Sequence, residues 1–202
     1  SMTMISINTN YGGLFSAKAS SQSQQVIDEA MLRLSTGKRI NNARDDSAGL
    51  AIAVRLTAQV EALAVASRNA ADAQSMLDTA EGSMTEIHTL LLRMRELAVQ
   101  SANGTLTDND RDHTDAEFQQ LEAEITRISD NTKWAGKALI NGSATSLSFQ
   151  IGENASQTIS VTIADMAASA TGLALDDDDL QTAASAQTAI SALDTAIATV
   201  ST

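Results

Sequence analysis

The stretch that decides the fold is Leu56–Ala98, LTAQVEALAVASRNAADAQSMLDTAEGSMTEIHTLLLRMRELA. Leu56, Val60, Leu63, Ala70, Ala73, Leu77, Ala80, Met84, Ile87, Leu91, Met94 and Ala98 recur at steps of three and four. The one long step, from Leu63 to Ala70, is bridged by Ala66 and Ser67. Such a seam is the mark of a helix with one face turned to partner helices. Asp45, Asp46 and Ser47 offer N-cap and first-turn residues, and the Asn103-Gly104-Thr105 run offers a stop. The spacing therefore predicts one helix over about 46–103. At 1.5 Å per residue it would extend on the order of 85 Å, too long for an ordinary globule of this size. The expected shape is a rod.

Composition agrees. The chain of 202 residues has no proline or cysteine, one Trp, one Tyr and three Phe. Narrow helical seams are filled by alanine and aliphatic side chains, whereas a broad core draws on aromatics. The absence of cysteine excludes disulfides, thiol catalysis and thiolate metal sites. The net charge is −12 and no basic residue follows Lys137, a surface that would repel phosphate, so nucleic-acid binding is not expected. No uninterrupted apolar run approaches the ~18–20 residues needed to span a bilayer, so no membrane insertion is expected. The N-terminal SMTMISINTN has neither a basic nor an apolar region of the secretory kind.

Outward from the long helix, residues 1–45 carry a weaker stripe of Val26, Ile27, Ala30, Met31 and Leu34. A lone helix with so modest a face is marginal in water and needs a partner. Between this segment and the long helix lies LSTGKRINNARDDSAGLAIA (Leu34–Ala53), whose glycine, asparagines and mixed charges fit either a site or a joint. On the other side, Phe118, Leu121, Ile125 and Ile128 predict a helix over about 110–130 that folds back antiparallel. The period then changes from three and four to two. Leu147, Phe149 and Ile151, then Ile159, Val161 and Ile163, flank GENASQ and predict a β-hairpin over about 146–164 at one end of the rod. After the acidic LALDDDDLQ, the residues Ile190, Leu193, Ile197 and Val200 predict a last helix over about 181–202. Its seam meets no terminating residue, so the helix is expected to be cut short and its continuation to be the partner that residues 1–45 lack. The fold class expected is mainly α, an elongated antiparallel helical rod with a small β-hairpin region. Its two parts are an N-terminal segment, 1–45, and a rod domain, 46–202.

Little in this chain suggests catalysis or cofactors. His88 stands in EIHTL, which is not a zinc-binding His-Glu-x-x-His motif, and no second histidine lies at ligand spacing. Asp176–Asp179 lacks the spaced acids and glycine of a calcium loop, and TDNDRDHTD reads as a helix start. His113, in that same run, reads as a plain surface residue. No enzyme activity, metal or cofactor is expected.

SINTNYGGL, RLSTGKRINNARDDSAGLAIA, SRNAADAQSMLDTAEGSMTEI, RMRELAVQSANGT and AEITRISDNTKWAGKALING, in this order across Ser6–Gly142, resemble bacterial flagellin. The resemblance implies a secreted structural subunit of the extracellular flagellar filament, self-assembling through its terminal helices for swimming motility. It further implies that residues 1–45 are disordered in the monomer and fold on assembly. Partners implied are other flagellin subunits, hook-associated and cap proteins, the flagellar type III export apparatus and Toll-like receptor 5. By the same resemblance Arg93, Leu97 and Glu117 form a contact patch for subunits and receptor, and Gly37, Arg39, Asn41, Asp45 and Asp46 belong to a joint between filament core and rod. A hook–filament junction protein is the alternative. Three departures from the family pattern stand out. Trp134-Ala135-Gly136 replaces the usual aromatic-Asn-Gly, no large insert follows the hairpin, and the C-terminal part of the family is missing.

Overall fold

The computed structural model describes residues 5–35, 47–144, 146–169 and 171–202. Four helices carry it: α1 (Ile5–Ser35), α2 (Ser47–Ser101), α3 (Asp108–Asn131) and α4 (Ala183–Val200). Two antiparallel strand pairs join them, β1 (Lys133–Trp134) with β2 (Lys137–Ala138), and β3 (Leu147–Gln150) with β4 (Thr158–Val161). The helical class and the long helix agree with the periodicity. At 55 residues, α2 is about 80 Å long at ~1.5 Å per residue.

The chain divides into two compact units, and α2 contributes to both. One consists of residues 76–147 and 162–202. Here α3 runs antiparallel to α2, as three pairings show. Ser101 bonds Thr114, Arg93 bonds Glu117, and Thr132 Oγ1 donates to Ser83 Oγ at 2.8 Å. Arg95 ties α2 to α4 through Asp194 at 2.7 Å. The core among these helices is closed. Met76, Ile87, Leu91, Met94, Phe118, Ile125 and Leu193 have no exposed surface. Thr107 and Thr182 start α3 and α4 with capping boxes, each hydroxyl accepting from a backbone N–H three residues on.

The seam is shifted slightly from its expected phase. Met76 and Leu97 are buried, whereas Leu77 and Met84 are only half-buried. A helix flanked by two neighbours buries a wider stripe than a two-helix seam, and a straight helix drifts against a heptad. In α4 the buried stripe is Ala186, Ala189, Leu193, Ala196 and Val200, with Ile190 and Ile197 at its margins. Small residues let this helix approach closely.

Residues 6–75 and 148–161 form the other unit. Ser16 Oγ donates to Ala70 O at 3.3 Å and Ser23 Oγ to Leu63 O at 3.2 Å, so α1 lies antiparallel along the first part of α2. Of the expected α1 stripe, Ala30 is buried, Val26 and Ile27 are half-buried, and Met31 and Leu34 are exposed. The hairpin is fixed to α2 as well: Asn69 Nδ2 donates to Gln150 O at 2.8 Å. Its loop runs from Ile151 to Gln157, one residue longer than GENASQ, closed by Ile151 N–H donating to Gln157 O at 2.9 Å.

Counting uninterrupted apolar residues misses one property of α2. The helix contains an 18-residue window of mean hydropathy 1.5, long and apolar enough by composition to cross a membrane, and none of that window is buried. The helix also carries Arg55, Glu61, Arg68 and Asp72, and any of these that entered a bilayer core would have to be desolvated. Its apolar surface suits helix partners better than lipid.

Candidate contact surface

Arg93 sits on the outer side of α2, half exposed, and its fork spans two helices. Nε and Nη2 meet Glu117 Oε1 of α3 at 2.9 and 2.8 Å, and Nη1 meets Glu96 Oε2, one turn along α2, at 3.0 Å. Both carboxylates, Glu96 first, raise the guanidinium pKa further above its ordinary value. All three side chains face water, so the pairs add little stability. They hold Arg93 flat in a defined position.

Leu97 occupies a different place. It is 2% exposed, part of the core beneath the patch. It shapes the surface by packing under it. Exposed apolar residues on this stretch of α2 are instead Leu92, 45% exposed, and Val99, 50% exposed. With Arg95, Glu96 and Gln100 they line a shallow groove on α2. The signal for them was in the sequence: in LLLRMRELAVQ, Leu92 and Val99 fall out of phase with the seam, so a seam-based reading leaves them outside. Gly37, Arg39, Asn41, Asp45 and Asp46 lie outside the described residues.

The end of the α2–α3 hairpin holds a buried residue that the motifs do not mark. Arg111 Nε donates to Ser101 O at 3.1 Å and Nη2 to Asn103 O at 3.0 Å. Carbonyls at a helix C-terminus lack intrahelical donors, and a cation also complements the dipole there. Asp108 lies 3.5 Å from Nη1, and the Ser101 and Thr114 hydroxyls share a short hydrogen bond alongside. This cluster closes the turn that carries α3, and Glu117 with it, back along α2.

Among the described residues no group of three or more His, Asp and Glu side chains is placed to hold a metal. His88 is half-buried and His113 exposed. The backbone of the Asp176–Asp179 loop is tied to α3, where Gln119 Nε2 donates to Asp178 O and Asp115 accepts from Leu180 N–H. Burial first, then Asp176 and Asp178, raise the Glu122 pKa, and burial with its three aspartate neighbours raises that of Asp178.

A long helix with antiparallel neighbours, tied by surface ion pairs over a closed core, defines a mainly α protein built on one long helix. Residues 7–145 match the family model of the bacterial flagellin N-terminal helical region, and the chain belongs to the bacterial flagellin family. It is 43% identical to the B-type flagellin of Pseudomonas aeruginosa over 168 residues, 83% of this chain and 34% of that protein. Flagellin A of Vibrio anguillarum is 44% identical over 155 residues, 77% of this chain and 41% of that one. The flagellin of Halalkalibacterium halodurans is 42% identical over 173 residues, 86% and 64% respectively. The chain thus spans between 34% and 64% of the length of these relatives. The crystal structure of Bacillus cereus flagellin superposes with a TM-score of 0.56 at 34% identity, covering 64% of this chain and 74% of that one. Flagellins are structural proteins, not enzymes.

Proposed function

We propose that this chain is a structural subunit of the bacterial flagellar filament, secreted and assembled outside the cell to serve swimming motility. Beyond family membership, the observation that carries this is the apolar surface left open on the unit containing α1. Leu14, Met31, Ile52 and Val54 are all more than half exposed. Surface of this kind is costly in water and marks an interaction face. Neighbouring subunits would cover it. Hook-associated and cap proteins would meet the same filament, and the flagellar type III export apparatus would deliver the subunit. A hook–filament junction protein remains the alternative, distinguished by binding filament ends without entering the lattice.

The test is seeded growth. Fluorescently labelled chain is added with flagellin to short filament seeds, and electron microscopy locates the label. Label along the length of new filament is expected. Label at ends alone would favour the junction protein, and no label in any filament would overturn both readings.

The Arg93–Glu117 patch supports a second reading, contact with Toll-like receptor 5 as well as with neighbouring subunits. An exposed arginine held by two carboxylates on neighbouring helices has the makeup of a binding hot spot. Arg93→Ala is expected to weaken binding to the receptor ectodomain about tenfold or more while leaving the fold intact. Unchanged binding would remove the receptor from the account.

A further inference from the structure

The chain contains two Asn-Gly pairs, Asn103-Gly104 and Asn141-Gly142, each followed by a hydroxyl residue. Each asparagine folds its side chain back over the backbone that follows it. Asn103 Oδ1 accepts from Thr105 N–H at 3.1 Å, and Asn141 Oδ1 from Ser143 N–H at 3.1 Å. The side-chain amide is thereby closed over the glycine between, which has no side chain to hinder an approach of its nitrogen to Cγ. A donor on Oδ1 also stands where negative charge grows when Cγ is attacked. Here the likeness ends. The Asn103 main-chain oxygen accepts from Arg111 Nη2 at 3.0 Å and from Leu106 N–H at 3.3 Å. That oxygen takes up the charge when the Gly104 N–H loses its proton, so both donors, one of them a guanidinium, acidify the Gly104 nitrogen. Asp108, the ion-pair partner of Arg111, is 99% exposed and screened by water. Asn103 is exposed, and a Cβ placed on Gly104 would meet no atom within 4 Å. At the other pair the neighbours are acids. Asn141 is half-buried with Nδ2 3.5 Å from Asp130 Oδ1, and the Asp165 carboxylate lies against Gly142, where an added Cβ would meet Oδ2 at 2.8 Å. Among the described residues no hydrogen bond reaches Asn141 O.

We propose that Asn103 is a site of spontaneous deamidation, at which the turn between α2 and α3 converts its own asparagine to aspartate and isoaspartate. Gly104 N, its proton lost to solvent, attacks Asn103 Cγ. A bond forms between Gly104 N and Cγ, and the Cγ–Nδ2 bond breaks as Nδ2 takes up a proton and leaves as ammonia. Water then opens the resulting succinimide ring. Addition at Cγ breaks the new bond and leaves aspartate. Addition at the main-chain carbonyl carbon breaks the original peptide bond and leaves isoaspartate, its chain running through Cγ. The net exchange is water taken up and ammonia released, with no oxidant, metal or enzyme. Either product adds a negative charge close to Arg111. Isoaspartate also reroutes the main chain through an extra CH2 and turns the carbonyl that Arg111 holds into a free carboxylate. The turn that carries α3 back along α2 is thus altered with the age of the molecule. None of this depends on assembly into a filament.

For the test, the purified chain is held at neutral pH and physiological temperature, and its peptides are followed by mass spectrometry for the mass gain of amide-to-acid conversion. Isoaspartyl methyltransferase, acting on the same digests, reports isoaspartate. In the native protein Asn103 is expected to convert at least about tenfold faster than Asn141, because opposite charge favours one ionisation and like charge disfavours the other. In the urea-unfolded chain the two rates are expected to converge, since the bare Asn-Gly pairs are alike. Gly104→Ala has room for its methyl group and is expected to slow conversion at Asn103 about tenfold, because the added carbon hinders closure of the ring. Circular dichroism checks that this variant keeps its helices. Equal or reversed native rates at the two asparagines overturn the proposal. So does the same tenfold ratio in urea, which would assign it to local sequence and not to the fold. A product free of isoaspartate, or an unchanged rate in Gly104→Ala, overturns it as well, because either means direct hydrolysis without the ring. Persistence of the Asn103 amide in the native chain while the unfolded chain converts would mean that the turn protects the pair, the opposite of what is proposed.

Discussion

The two units of this chain use the same long helix in opposite ways. In the unit formed by residues 76–147 and 162–202, α2 buries Met76, Ile87, Leu91 and Met94 completely, against α3, α4 and the segment between β4 and α4. In the unit formed by residues 6–75 and 148–161, the same helix leaves Ile52, Val54 and Val65 substantially exposed and meets α1 mainly through serine and alanine. One unit is finished by its own chain. The other leaves apolar surface open to water. Hydrophobicity alone does not separate them, since both are built from similar residues. What differs is whether large side chains find large partners.

Single substitutions can break that contrast. Phe118 is fully buried at the centre of α3, so Phe118→Ala is expected to cost about 3–5 kcal/mol, read as a lower midpoint in urea unfolding followed by Trp134. Ser23→Ala, at the α1–α2 contact, is expected to cost less than about 1 kcal/mol, because the lost hydroxyl supplies a single proton to two carbonyls, one of them in its own helix. Similar costs at the two sites would mean that the units are equally well packed. Arg111→Ala comes next. It strips the donors from Ser101 O and Asn103 O inside the finished unit and is expected to cost about 2 kcal/mol.

A smaller effect separates the acidic loop from the rest. Glu122 Oε2 and Asp178 Oδ2 are buried without a hydrogen-bond partner, and both groups have raised pKa values. The charges acting on Glu122 are Asp176 and Asp178, and those on Asp178 are Asp179, Asp177 and Asp176. No cation is among them. With folded values above unfolded ones, the native state binds the extra protons, so stability rises as pH falls toward the ordinary carboxylate range. Asp110 and Glu124 work the other way. Their lowered values, set first by hydrogen bonds from Thr107 and Arg127, make stability fall at still lower pH, as those groups protonate. A maximum on the mildly acidic side of neutrality is expected in urea titrations at several pH values. Glu122→Gln should flatten the rise toward it. An unchanged pH profile in that variant would place the repulsion elsewhere.

How much of this was legible in the sequence follows from range. The long helix, α3 and the last helix announce themselves by steps of three and four, which depend only on local geometry. In α4 the expected seam residues Leu193 and Val200 are buried, but Ile190 and Ile197 lie at the margin, and Ala186, Ala189 and Ala196 complete the buried stripe. Which stripe is buried depends on the neighbouring helices, and those are set by the whole fold. Arg111 reads as one charge in an acidic helix start, and its partners lie in the preceding turn. In the contact patch, the motif located Arg93 and Glu117 on facing helices. It could not show that Leu97 is buried or that the exposed Leu92 and Val99 line a groove with Arg95, Glu96 and Gln100. For residues 1–45 the sequence reading named another partner, the continuation of the last helix; α1 meets α2 through polar residues, Ser16 and Ser23, which a hydrophobic period does not mark.

The smallest effect concerns a departure from the family pattern inside the finished unit. β1 and β2 pair Lys133 with Ala138 and Trp134 with Lys137, leaving Ala135 and Gly136 as a two-residue turn. Both residues have positive φ, 50° at Ala135 and 79° at Gly136, as a type I′ turn demands. Glycine accepts that geometry, but the Cβ of alanine crowds the following carbonyl. Asparagine, the residue usual at this point in the family, tolerates the left-handed region better. Ala135→Asn is therefore expected to stabilise the unit by about 0.5–1 kcal/mol, measured as a rise in the urea midpoint at constant m. A matching gain in protection of the Lys133 and Ala138 amides would locate the relief in the turn. A loss of stability would mean that Ala135 contributes a contact worth more than the strain it carries.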